Sequence, residues 1–162
     1  MKYRIANLSD LEPILQMKNE VKERIQKENL PIWLGDYPLD SMIEEDIQNG
    51  YGRVIEDLNT IVGYACFHPA EEEYPQELFQ KKPLQSFGRV MVRNGYVGKH
   101  YGSFLVKSMI DEAKSMHLEG MGIAVDACNI KAVRLYEKHG FKKEGSYQFP
   151  YAYLDMYGLY LK

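Results

Sequence analysis

The stretch from Val90 to Ser103 constrains the chain more than any other. Val90-Met91-Val92 ends a β-rich run, and Arg93 to Tyr101 is a loop carrying Gly95 and Gly98. From Gly102 the apolar residues Phe104, Leu105, Met109, Ile110 and Ala113 return at helical spacing. Met121, Ile123 and Val125 then alternate as a strand. Strand, glycine loop, helix and strand in succession belong to an α/β domain.

The remaining segments fit that class. Tyr3 and Ile5 alternate as a short first strand. Ser9 and Glu12 read as a capping box for a helix running to about Lys27, with Pro13 in its first turn. Asn29 to Pro38 is a loop holding the only tryptophan, Trp33. Ser41 and Glu44 suggest a second capping box, and Gly50 can close that helix. The runs 51–56 and 60–68 flank a hairpin turn at Asp57-Leu58-Asn59. Ala70 to Pro83 is polar and reads as an excursion over the surface, and Ser86 to Val92 is the next strand. The helix opening at Gly102 is expected to end near His117. Asn129 can cap a helix with inner face Ala132, Val133, Leu135 and Tyr136, and Gly140 is its C′ residue. Two closing strands span 141–149 and 154–161. The order is β-α-α-β-β-β-α-β-α-β-β, in a mixed sheet. With 162 residues the expectation is a single domain over 1–162.

Charge narrows the function classes. Lys and Arg total 20 against 23 Asp and Glu, without the basic excess that nucleic-acid binding wants. Cys66 and Cys128 stand far apart, in no metal-ligand or disulfide spacing, so neither a metal nor a disulfide framework is expected. The apolar runs are far short of the roughly 20 residues a spanning helix needs, so no membrane partner is expected. Met1 to Asn7 lacks the apolar block of a signal peptide, which makes a reducing cytoplasm the default.

Backbone amides at a helix start are unsatisfied and sit at the positive end of the helix dipole, so such an end can hold a phosphate. The segment fails the two commonest phosphate motifs. Gly98-Lys99 is followed by His100 rather than Ser or Thr, and Gly95, Gly98 and Gly102 do not have dinucleotide spacing. A plain strand–helix turn without a ligand is the other reading.

A second motif lies 25–30 residues further on: Asn129-Ile130-Lys131-Ala132-Val133-Arg134-Leu135-Tyr136-Glu137-Lys138-His139-Gly140-Phe141. Together the two segments resemble the GNAT superfamily of acetyl-CoA-dependent N-acetyltransferases, especially its small bacterial members of unassigned substrate. The pattern N-x-x-A-x-x-L-Y-x-x-x-G-F is matched at every fixed position. The glycine signature [Q/R]-x-x-G-x-[G/A] aligns over Val97 to Gly102. It keeps the final glycine but has Val97 for Gln/Arg and His100 for the middle glycine. The element order is also the family's, so the resemblance covers the whole chain and implies a sheet with a splayed strand pair.

The resemblance implies acetyl-CoA as co-substrate and direct transfer of its acetyl group to a primary amine, on a small molecule or a peptide. Val90, Met91 and Val92 would pair with the pantetheine arm. The amides of Gly98, Lys99, His100, Tyr101, Gly102 and Ser103 would hold the pyrophosphate. Asn129 would orient the pantetheine or serve as a helix cap. Tyr136 would protonate the departing thiolate or pack as a core aromatic; a phenol is protonated at neutral pH. The family commonly exchanges a C-terminal strand between copies, so a homodimer is one expectation. An acetyl-CoA-binding sensor with little turnover and a plain interaction module are the rival classes.

The general base is not legible. The strands 86–92 and 121–126 carry no Glu. Ala124 stands where relatives acetylating protein N-termini often have one, which counts against that subclass. Asp126 is open as a base acting through water or as a turn residue. Glu71, Glu72 and Glu73 read as a solvated run, His68 as a structural histidine and Cys128 as a small buried hydrophobe. His117 and His139 sit at helix C-ends, where a cation is favoured. For the acceptor, the loop around Trp33 and Tyr37 and the segment around Tyr147 and Tyr151 suggest aromatic walls for a cationic amine.

Overall fold

In the computed structural model, residues 1–70, 78–79 and 85–162 are described. The elements are β1 (Lys2–Ile5), α1 (Leu11–Lys27), α2 (Asp40–Gln48), β2 (Gly52–Asp57), β3 (Thr60–Pro69) and β4 (Gln85–Val92), then α3 (Tyr101–Ser115), β5 (Gly120–Asp126), α4 (Ile130–Lys138), β6 (Lys142–Gln148) and β7 (Tyr153–Tyr160). This is the expected order. The strands form one mixed sheet, β1-β2-β3-β4-β5-β7-β6. Contacts gather into two units, one of residues 1–67 with 89–105, the other of residues 68–88 with 106–162.

In the first unit β1, β2 and β3 are an antiparallel meander, with Tyr3 opposite Ile55 and Val54 opposite Tyr64. Leu58 and Asn59 make its hairpin turn at φ +49° and +64°. Helices α1 and α2 cover the meander because Ile14, Met17 and Val21, and Ile43 and Ile47, recur at helical spacing. Their side chains meet Val54, Ile61, Tyr64 and Met91 in one core. The end of β4 is held beside β3 by the Arg93 amide, which donates to the Val62 carbonyl at 2.9 Å.

Both expected capping boxes are corrected. For the first, the cap is Asn7, which opens a 3-10 turn, Leu8–Asp10, leading into α1. Asn7 is extended at φ −122° and ψ 169°, its side chain accepting from the Ser9 amide while Asp10 accepts from the Asn7 amide, and Asp10, at the N-cap of α1 itself, makes no side-chain cap bond. The box therefore sits two residues earlier than Ser9 and Glu12. Before α2 the cap position is Leu39, with no side-chain cap bond, and Ser41 is already helical. The approach to α2 is fixed differently. Lys18, buried on α1, donates to the Pro38 carbonyl at 3.2 Å and pairs with Asp40. Lys22 donates to the carbonyls of Gly35 at 2.6 Å and Tyr37 at 2.7 Å.

In the second unit β5 pairs with β7 along its whole length, and β6 closes the edge against β7. β4 pairs in parallel with β5 over two residue pairs, Gln85 with Met121 and Ser86 with Gly122, although β4 runs on to Val92 and β5 to Asp126. The β4–β5 ladder thus ends at Ser86 and Gly122. Phe79 is buried with Phe149, Leu154 and Met156, which corrects the reading of 70–83 as purely a surface excursion. Residues 71–77 and 80–84, including Glu71, Glu72 and Glu73, lie outside the described residues. Helix α3 ends at Ser115, two residues short of His117, which takes φ +57°.

Candidate active site

In the first unit β4 carries an unusual residue. Arg89 has φ +49° inside a strand, a region that costs a residue with a Cβ roughly 1–2 kcal/mol. Its side chain is fixed from α2. Nε donates to Asp46 Oδ2 at 2.9 Å and Nη2 to Oδ1 at 2.6 Å, while the Tyr64 hydroxyl donates to Oδ2 at 2.7 Å. The carboxylate and guanidinium are almost buried, at 7% and 15% exposed. Asp46 holds the Arg89 guanidinium firmly protonated, and burial pushes the Tyr64 phenol and the Cys66 thiol up. No local motif announces this network. Its one signal is Asp46 at the i+3 position between Ile43 and Ile47, on the buried face of α2.

Beyond the strand comes the glycine loop. Gly95 and Gly98 take φ +85° and +76°, and a Cβ at either would meet open space. His100, which replaces the family's middle glycine, is also left-handed at φ +68° and is exposed. The loop thus holds a glycine-favouring backbone at a residue that carries a Cβ. The first bond of α3 runs from the Phe104 amide to the His100 carbonyl at 2.9 Å, so the amides of Tyr101, Gly102 and Ser103 precede any intrahelical acceptor. Tyr101 ties the helix start to the end of β2, donating to Asp57 at 2.5 Å and packing edge-on against Tyr96. A thioester with a phosphate-bearing arm suits these features. Glycine-shaped space and main-chain amides at a helix start can meet phosphate oxygens, and Val90, Met91 and Val92 continue β4 past its last pair with β5.

The second unit holds the later motif. Asn129 caps α4, its Oδ1 accepting from the Ala132 amide at 3.3 Å. Tyr136 is 3% exposed and packs edge-on against Phe87 at 5.4 Å and Phe141 at 6.2 Å. Its hydroxyl has no hydrogen-bond partner among the described residues, and burial pushes the phenol's pKa up. Asp126, at the end of β5, is half-buried; burial raises its pKa, and its carboxyl likewise has no partner among the described residues.

Two minor expectations are corrected. Cys128 is exposed rather than buried, because it lies in the turn between β5 and α4. His139 is at a helix C-end, yet its pKa is lowered, first by burial and then by Lys138 and Lys107, so the cation is not favoured. His68 is half-buried with Nδ1 2.7 Å from the Pro69 carbonyl, as a structural histidine would be.

The aromatic candidates form two separate groups. Trp33 and Tyr37 meet edge-on at 6.2 Å in the first unit, with Trp33 resting on the α1–α2 core. In the second unit Phe149 has Tyr147 at 4.7 Å and Tyr151 stacked at 5.5 Å, both tyrosines exposed.

These features define an α/β protein with a glycine-bearing loop between the end of a strand and the start of a helix. The family model described as Acetyltransferase (GNAT) family matches residues 19–141. The chain belongs to the GNAT acetyltransferase family. Among solved structures it is similar to a GNAT-family acetyltransferase from Streptococcus agalactiae, with TM-score 0.86 at 20% identity, covering 99% of this chain and 95% of that one. A Staphylococcus aureus chain to which acetyltransferase activity is attributed gives 0.77 at 25%, covering all of both. The Salmonella typhimurium protein yncA, solved with its cofactor acetyl-CoA, gives 0.70 at 21%, covering 100% and 94%. A search of curated proteins finds no match. Among the described residues no helix is long and apolar enough to cross a membrane.

Proposed function

We propose that the chain, working as one domain over residues 1–162, is an N-acetyltransferase that moves an acetyl group from acetyl-CoA to a primary amine by direct attack in a ternary complex. The observation that carries this reading is the β4–α3 segment: a strand whose pairing with β5 ends at Ser86, then a glycine-bearing loop and the amides of a helix start. Bound acetyl-CoA supplies an activated thioester. In this reading the peptide groups of Val90, Met91 and Val92 hold the pantetheine arm as an added strand, and Asn129 helps orient it. The amides of Gly98, Lys99, His100, Tyr101, Gly102 and Ser103 hold the pyrophosphate. Holding donor and acceptor in line supplies much of the rate.

Tyr136 is the proton donor to the departing thiolate. Its raised pKa keeps the phenol protonated, and its free hydroxyl hydrogen is not spent on another described group. Asp126 is the base that neutralises the ammonium, through a water. A carboxylate with a raised pKa is a stronger proton acceptor than an ordinary one. For the acceptor, a small molecule or a peptide amine, the ring faces on offer to its cation are Trp33 with Tyr37 in the first unit and Tyr147 with Tyr151 in the second, each pair by itself.

The test has two parts. Calorimetry is expected to show acetyl-CoA binding that Gly102→Glu abolishes while the fold survives, because a carboxylate and a Cβ would face the phosphates. Thiol release across a panel of amines is expected to find an acceptor. Unchanged affinity in the variant overturns the loop assignment, and binding without release from any amine leaves the sensor class instead.

A further inference from the structure

The cation missing from the glycine signature has a counterpart elsewhere in the fold. Where relatives carry Gln or Arg this chain has Val97, which lines a cavity of about 360 Å³ together with Asn94, Gly95 and four residues of α1 and its end, Glu23, Arg24, Lys27 and Glu28. Arg24 reaches from α1 to the loop. Nη1 donates to Asn94 Oδ1 at 2.5 Å, and Nη1 and Nη2 both lie 3.3 Å from the Val92 carbonyl. These acceptors are neutral, and among the described residues Arg24 has no ion pair. Glu20, the acid that reaches this loop, is committed to Arg93 at 3.0 Å and to the Asn94 amide at 3.3 Å. Burial accordingly lowers the pKa of Arg24, with Glu28 and Glu20 compensating in part.

A half-buried guanidinium without a contacting counter-charge is costly unless a ligand supplies the charge. Of its five N–H donors, three meet Val92 and Asn94, leaving Nε–H and one terminal N–H. Lys27 stands one turn further on the same face, exposed and with no partner among the described residues. The acids Glu23 and Glu28 bring the cavity's formal charge to zero, so an anion there is met by direct contact with the two cations and not by a net positive field.

We infer that Arg24, assisted by Lys27, binds the diphosphate of the acyl donor from the α1 side of the glycine loop, taking the place of the cationic or polar side chain that Val97 lacks. This rests on the acetyl-CoA reading above. The anion is thereby gripped from two directions, by loop amides and by a guanidinium fork that suits phosphate geometry.

The experiment compares wild type, Arg24→Gln and Lys27→Gln. Calorimetry measures binding of acetyl-CoA and of acetyl-dephospho-CoA, which keeps the diphosphate but lacks the 3′-phosphate. Thiol release measures kcat/KM with S-acetylpantetheine, which has no phosphate. Arg24→Gln retains an amide N–H for the Val92 carbonyl, and Lys27→Gln changes an exposed residue, so both are expected to fold. Losing a charge-assisted bond is expected to weaken both nucleotide donors by about tenfold for Arg24→Gln and about threefold for Lys27→Gln. Use of S-acetylpantetheine is expected to stay within about twofold of wild type. Equal losses on all three donors would make Arg24 a structural tether, losses confined to acetyl-CoA would move the contact to the 3′-phosphate, and no loss would remove it; each overturns the inference. Failure of wild type to bind acetyl-CoA is read separately and overturns the functional reading on which it rests.

Discussion

Replacing Tyr136 by phenylalanine separates what the ring does from what the hydroxyl does. The ring fills the space between Phe87 and Phe141, and phenylalanine keeps those edge contacts. The hydroxyl sits on a side chain 3% exposed and has no partner among the described residues. Burying a polar group unsatisfied costs roughly 1–3 kcal/mol. The variant is therefore expected to be more stable without ligand by about 1–2 kcal/mol, a rise in Tm of about 2–8 °C for a chain of this size. Urea denaturation of the free protein reads that gain. The same change removes the proposed proton donor, so kcat is expected to fall by about 10²–10⁴ with acetyl-CoA affinity nearly unchanged. A protein that gains stability as it loses turnover shows a hydroxyl kept for chemistry. A loss of more than about 0.5 kcal/mol would mean the hydroxyl is already bonded, refuting the stability argument. A fall in kcat of less than about threefold, where chemistry limits the rate, would refute the proton-donor role.

Asp46→Asn leaves the Arg89 guanidinium buried without its counter-charge and is expected to cost about 3–5 kcal/mol, read as a lower urea midpoint. No loss would show that Arg89 finds another acceptor. Arg4 contacts Asp10 at 2.7 and 2.9 Å and Glu56 at 2.7 Å, and holds both carboxyls below their usual values of 3.8 and 4.5. A depressed carboxylate stabilises the fold above its unfolded pKa and loses that contribution as pH falls through the folded one. Thermal melts are thus expected to fall below about pH 4.5 in wild type and to fall less steeply in Arg4→Gln; parallel profiles would discount the pair. Once an acceptor is known, Trp33→Ala and Tyr151→Ala are expected to raise KM for the amine and leave KM for acetyl-CoA alone. A shift in the acetyl-CoA value instead would place the acceptor elsewhere.

The elements were legible because their apolar residues keep a period: Ile14, Met17 and Val21 on α1, and Met121, Ile123 and Val125 on β5. Their ends were less so. Asn7 with Asp10 and Ser9 with Glu12 are equally good capping patterns on paper, and the choice falls to the residue whose backbone is extended, which composition does not state. The loop and the motif from Asn129 to Phe141 were readable as local strings. The Asp46–Arg89–Tyr64 network was not, because α2, β3 and β4 supply one member each and no local spacing relates them. Arg24 was missed for the same reason: 68 residues separate it from the carbonyl it holds.

The Val92 carbonyl faces Arg24, whereas the Arg93 amide faces Val62 on β3. That carbonyl and that amide belong to one trans peptide group and point to opposite edges of the strand, so Val90 and Val92 present main-chain N–H and C=O on the edge away from β3. Every amino acid but proline presents the same N–H and C=O there. Residues of similar volume can therefore be exchanged there without touching the hydrogen bonds the main chain offers. A homologue with different letters at 90 and 92 offers the same main-chain groups, whereas an inserted residue before them would turn each N–H and C=O to the other edge. For such a strand, insertions and deletions are the informative changes, and substitutions nearly silent ones.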